Sequence, residues 1–289
     1  MTTTEADTTD TTDTAKRVNE LAAEARREAR RWKSLDEAIK TLKKELSDPA
    51  ALLSAVEALR SAPQENPQWA WALTEATRRS DRARMKAGMR LDTELQALAE
   101  KEGVECARVS DQPLVYGWDA FEVSCDFETG RAQVLFGREL CDETEIVAAA
   151  IGKATATVKE RHESWRGQPT AELFARLRRA YVMAAAATDA ASGARVAIVD
   201  LIVPLANLIT APARWRQKGP EGLSPYPRER LVVELHQLRR QAALEAGGLR
   251  LELGVATGTS TSNKADVVFV PSNGRDGQYY ATVRFVEAS

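Results

Sequence analysis

Arg195-Val196-Ala197-Ile198, followed by Leu201-Ile202-Val203-Pro204-Leu205-Ala206-Asn207-Leu208-Ile209, opens the stretch that decides the fold and runs on to Phe285. The first four residues are a short apolar run of strand character, and the second group is a helical patch, with Asp200 placed to cap it. A connection broken by Pro and Gly comes next. A second helix is then expected from Pro227 to Leu244, with Pro at its start and Leu231, Leu235 and Leu238 facing inward. Leu249–Val255, Val267–Pro271 and Gln278–Phe285 read as strands, with a long polar tip from Ala256 to Ala265 between the first two. Upstream, Ala171–Thr188 lines Leu173, Leu177 and Tyr181 on one face, widened by Phe174 and Val182, so a helix precedes the first strand.

Helix, strand, helix, helix and a long-tipped hairpin is the order of a winged helix-turn-helix, and residues 169–289 resemble winged-helix domains. The run Tyr226-Pro227-Arg228-Glu229-Arg230-Leu231, then Leu235-His236-Gln237-Leu238-Arg239-Arg240 and Gly248-Leu249-Arg250-Leu251, is also similar to bacterial proteins of unassigned function. Winged helices occur in transcription regulators and in accessory subunits of chromosome-structuring ATPases, where they dimerise or grip a coiled coil. The resemblance therefore implies two functions, because a fold does not fix one. The first is a non-enzymatic subunit of a larger bacterial assembly, or a regulator, that binds duplex DNA. The alternative is a protein–protein assembly subunit docking on a coiled-coil ATPase, in a genome-defence setting.

For the DNA reading the candidate contacts are Arg228, Arg230, Arg239 and Arg240 on the second helix, Arg214, Arg216 and Lys218 in the connection, and Lys264 and Arg275 near the tip and its return. Helical spacing aligns Arg228 with Leu231 and Leu235, sends Arg230 and Arg240 toward solvent and leaves Arg239 on the flank. Charge leans the same way. The whole chain carries −2, but from Gln168 onward 15 Lys/Arg stand against 11 Asp/Glu, a net +4 that leaves −6 for the first part.

The rest of the chain gives an α+β protein with a coiled-coil-like helical N-terminal region and a small three-stranded α/β module before the winged helix. Residues 1–14 are Thr- and Asp-rich and read as a disordered tail. Over 15–103, Val18, Ala22, Ala25, Ala29, Trp32, Leu35, Ile39, Leu42 and Leu46 recur at steps of three and four, a seam suited to a homodimer, for which the helix expected from Glu143 to Trp165 is the alternative surface. A short helix to about Leu59 and a long one from Gln68 to Glu102 follow; the long one is polar on every face through Thr77–Arg84. Over 104–168 the period turns to alternation, giving strands at Val104–Val109, Leu114–Cys125 and Arg131–Leu140 and a helix from Glu143 to Trp165.

No residue set for chemistry emerges, and no cofactor or metal is expected. Cys106, Cys125 and Cys141 are odd in number, with no C-x-x-C pair, which points to free thiols in a reducing cytoplasm. Gly254–Lys264 has the composition of a phosphate loop without its spacing, since no Gly precedes Lys264 and a strand follows. Asp119 and Glu122 resemble a nuclease pair, but Ser124 stands where a Lys is needed and a third ligand is missing. His162 and His236 read as surface or boundary residues, Trp69, Trp71 and Trp165 as packing residues. The apolar runs are too short to span a bilayer.

Overall fold

The computed structural model describes residues 8–44, 48–62, 67–191, 193–258, 264–273 and 276–288. Three helices come first: α1 (Thr8–Lys43), α2 (Pro49–Arg60) and α3 (Pro67–Glu102). Asp48 caps α2 by accepting from the Ala50 N–H at 3.1 Å, and Pro49 takes the first helical position, where no N–H is required. Of the expected tail, residues 1–7 lie outside the described set. Thr8–Thr14 correct the expectation, since they already belong to α1.

Five strands follow, β1 (Cys106–Asp111), β2 (Leu114–Trp118), β3 (Phe121–Asp126), β4 (Arg131–Phe136) and β5 (Glu139–Glu145), in one antiparallel sheet ordered as in the chain. Three strands were expected. The expected strand Leu114–Cys125 is in fact two, because Asp119 turns the backbone at φ 53°, a conformation a short Asp side chain tolerates. The expected Arg131–Leu140 also folds back, at Gly137-Arg138, so Glu143 lies in β5 and the next helix, α4 (Ala148–Arg166), starts later than its apolar spacing suggests.

The C-terminal elements are α5 (Thr170–Ala187), β6 (Val196–Ala197), a 3-10 turn (Ile198–Leu201), α6 (Ile202–Ile209), α7 (Pro212–Lys218), α8 (Arg228–Arg240), β7 (Glu245–Ala246), β8 (Leu249–Val255), β9 (Val268–Asn273) and β10 (Asp276–Glu287). β10 is the central strand of a second sheet ordered β6-β10-β8-β7, and β9 pairs with its first half. Asp200 falls inside the 3-10 turn and does not cap α6. α8 stops at Arg240, ahead of the expected Leu244, because Ala242 turns at φ 50° and Glu245–Ala246 joins β8. The chain is thus α+β, with α7 the helix that the sequence reading left in a loop.

Two compact units emerge, one taking in the chain to Leu91 with Phe127–Gly130, the other Asp92–Asp126 with Arg131–Ser289. The boundaries expected after residues 103 and 168 are corrected. Helix α3 crosses from one unit into the other, and the first sheet shares a unit with everything after it. In the first unit Leu35 and Ala38 of α1 pack with Ala55, Val56 and Leu59 of α2 and with Ala72 and Ala76 of α3. The expected seam is used there only in its second half. Ala25, Ala29 and Trp32 remain exposed. The polar middle of α3 is partly internal, with Ser80 and Ala83 buried, while Arg78 and Arg79 both bind Glu75. No single helix among the described residues is long and apolar enough to cross a membrane.

Candidate functional site

Helix α8 holds the expected DNA contacts, and it is enclosed. Leu231, Val232, Val233, Leu235 and Leu238 are buried, as are Glu229, Glu234 and Gln237, so burial extends around the whole helix. The reason is that α4 and α5 pack on it as well as β5 and β9. An amphipathic helix needs one apolar stripe, and α8 surpasses that by matching its polar residues to internal partners.

Arg230, expected in solvent, is 11% exposed; its Nε donates to Glu234 at 2.8 Å and its guanidinium lies over the rings of Tyr226 and Trp165. Arg228 forks onto Glu139, Nη2 at 3.0 Å and Nε at 3.2 Å, and also donates to the carbonyls of Lys264, Ala265 and Val267. Arg239 lies over the Tyr280 ring at 5.4 Å and reaches the Val270 carbonyl. Arg230 corrects the expectation of a solvent-facing position, while Arg228, expected in line with the leucines, and Arg239, expected on the flank, are engaged with Glu139 and with Tyr280. Arg240 alone of the four is exposed. Arg214, Arg216 and Lys218 are exposed on α7, Lys264 is exposed ahead of β9, and Arg275 lies outside the described residues.

Two buried carboxylates anchor this arrangement. Glu234 is fully buried and accepts from Arg176 at 2.8 Å, from Arg230 and from the Tyr226 hydroxyl at 2.5 Å. Burial pushes the Tyr226 phenol well above its ordinary range, and the neighbouring carboxylate adds to the effect. Glu229 receives Arg161 Nη2 and His162 Nε2 on one oxygen, each at 2.7 Å. Burial works to raise the Glu229 carboxyl, yet the hydrogen bonds from His162 and Arg161 outweigh it and hold the group below its ordinary value. His162 is 0% exposed, which overturns its reading as a surface residue; Phe121, Phe136 and Trp165 surround its ring. His236 is half-buried, with Nδ1 2.9 Å from the Pro271 carbonyl.

Cys141 completes a group that no sequence spacing announces. Its thiol, the His162 imidazole and the Glu229 carboxylate offer ligand atoms within 4.8 Å of one another, from β5, α4 and α8. Zinc chemistry requires a thiolate and open lone pairs. Here burial pushes the Cys141 thiol far up, with Glu229 adding to the shift, and the Arg161 guanidinium already occupies the shared oxygen. The Arg161 guanidinium therefore supplies the positive charge that neutralises the carboxylate. The cluster is an internal ionic lock.

The nuclease pair also dissolves. Asp119 binds Lys159 at 2.8 Å, and Glu122 lies half-buried on β3. Of the tryptophans, Trp165 stacks on His162 and Trp69 packs on the helical core, whereas Trp71 is exposed, contrary to expectation.

What stays open is the face of α5 and α6. A groove of about 720 Å³ is lined by Phe174, Val182, Met183 and Leu208, with Arg178 and Arg179 at its rim. Val182 is 56% exposed and Val203, on α6, 64%. A second, more polar groove of about 690 Å³ continues from it past Arg179 and Leu208. Compared with protein-family models, with curated proteins and with solved structures, the chain matches none.

Proposed function

We propose that this chain is a non-enzymatic assembly subunit whose C-terminal region is a winged-helix variant that docks on protein through α5 and α6. The sequence of α5, β6, α6, α8 and the β8–β10 hairpin, with β10 between β6 and β8, supports the winged-helix reading. The single observation that carries the docking reading is the enclosure of α8, the helix that would otherwise enter a DNA groove. Three of its four arginines hold internal carboxylates or rings, which leaves Arg240 alone exposed in place of a basic face. The open apolar groove on α5 with Arg178 and Arg179 at its edge suits an amphipathic helix that carries acidic residues beside its apolar stripe. A coiled-coil ATPase would supply such a helix.

The test is co-purification with the products of adjacent genes, comparing the parent with Val182→Asp and Leu208→Asp. Each variant, once circular dichroism shows it folded, is expected to lose a partner that the parent retains. A partner kept by both would remove the α5–α6 face from the proposal.

One observation favours the DNA reading in a different form. α7 presents Arg214, Arg216 and Lys218 together with a 42% exposed Trp215. Titration of duplex DNA at two salt concentrations separates the readings. A slope of log affinity on log salt near about −3.6, for about four phosphates neutralised, lost in an Arg214→Glu, Arg216→Glu double variant, would replace protein docking with DNA binding through α7.

A further inference from the structure

Arg138, between β4 and β5, and Lys264, ahead of β9, are both exposed cations. Both line a cleft of about 330 Å³ with Glu139, Arg228, Phe269 and Tyr279. Glu139 is its one carboxylate, and both oxygens of that group are taken by Arg228. Three cations against one carboxylate leave the cleft at +2.

Arg138 is held in place. Gly137 and Arg138 form the two-residue turn of the β4–β5 hairpin at φ 57° and 66°, the combination of positive angles that a type I′ turn demands. Gly137 has no alternative there: a Cβ would meet the Phe269 carbonyl oxygen at 2.6 Å and the Val232 side chain at 2.8 Å. Arg138 has one, because Gly or Asn suits the second position better than a long side chain. Backbone strain held by a tightly packed neighbour is a mark of a working position. Its guanidinium lies 4.4 Å above the Phe269 ring and donates from Nη1 to the Tyr279 hydroxyl at 2.9 Å. That hydroxyl accepts from Arg138, so its own proton is available to a ligand.

We propose that Arg138, Tyr279 and Lys264 form a binding site for a doubly charged phosphoryl group. A flat guanidinium fixed on an aromatic face needs little ordering to take an oxyanion through paired N–H groups, and this is the geometry that separates arginine from lysine. A +2 cleft matches a phosphate dianion better than a single carboxylate. The site is independent of the docking face, sharing no residue with it.

The experiment follows the arginine Nε–H signals of 15N-labelled full-length protein at low ionic strength and pH 7.5. Inorganic phosphate is the first probe, a nucleoside 5′-monophosphate the second, and a single-stranded oligonucleotide without terminal phosphate the third. A saturable shift of one signal is expected, assigned to Arg138 by its absence in Arg138→Lys. That variant keeps the charge but loses the fork, and affinity is expected to fall about tenfold. Lys264→Gln and Tyr279→Phe should weaken binding by a smaller factor. Arg138→Gly relaxes the turn, so it should fold at least as firmly as the parent while losing the site, which separates binding from stability. Tighter binding of inorganic phosphate or the mononucleotide supports the dianion site; tighter binding of the oligonucleotide, whose phosphodiesters carry one charge each, overturns it. If none of the three probes shifts the Arg138 signal, or if Arg138→Gly binds as the parent does, the proposal is overturned.

Discussion

His162 shows how a side chain on a helix acquires its properties from elements far away in the chain. Burial lowers its pKa from the ordinary 6.5, against the opposing pull of Glu229, and burial lowers His236 as well. A folded-state value below the unfolded one means that the unfolded chain binds more protons as pH drops below about 6.5. Stability is therefore complete above that pH and is lost on acidification, by at most about 1.4 kcal/mol per pH unit for each histidine. Glu229, held below its ordinary 4.5, adds its own loss only at lower pH. Urea unfolding at pH 7.5 and 5.5 is expected to show the decline, and His162→Gln, which cannot titrate, to reduce it. An equal decline in that variant would shift the origin to other groups. Glu234→Gln tests the second lock. It leaves Arg176 and Arg230 facing a neutral amide in a buried site, and a loss of about 3–5 kcal/mol in the same unfolding measurement is expected. None of this was legible in sequence, because Glu229 lies 67 residues from His162 and Glu234 58 from Arg176, and spacing carries no information at that range.

At the level of elements the sequence said more. The leucines of α8, the apolar face of α5 and the alternation in β8 to β10 are local periodicities, and local period survives whatever packs on the outside. Errors fell where a tight turn interrupts an alternating run. Trp118-Asp119-Ala120-Phe121 and Phe136-Gly137-Arg138-Glu139 keep apolar residues close to both sides of the bend, so a continuous strand and a hairpin read alike. The outward assignment of Arg230 failed for a different reason: helical geometry gives the direction of a side chain but not what meets it there. Gly137→Ala tests the second turn. The added methyl needs a positive φ and meets a backbone oxygen, so a loss of more than about 1 kcal/mol is expected in thermal unfolding, with α8 and β9 the nearest parts disturbed. Unchanged stability would mean that the hairpin tip does not press on β9. The exposed half of the α1 seam, with Ala25, Ala29 and Trp32, keeps a homodimer through that helix open to light scattering, where a Trp32→Glu variant should be monomeric if the parent is not.

For the molecule as a whole, the boundary after residue 168 is the reading with the largest consequence. Composition and period change there, yet Arg161 and His162 before it bind Glu229 after it, Glu139 binds Arg228, and Gln237 donates to the carbonyls of Arg166 and Gln168. A fragment of residues 169–289 would expose Val232 and leave Glu229 and Arg228 without partners, so it is expected to lack the dispersed amide spectrum that residues 92–289 retain. A dispersed spectrum for the short fragment would restore the boundary. The same ionic locks have a historical corollary. A region whose central helix draws its partners from β5 and α4 cannot be lifted out or grafted elsewhere without them. Recombination inside this region would yield chains that fail to fold, so the sheet and the helices after it must be inherited together, and natural variants that lose Arg161 should carry a compensating change at Glu229.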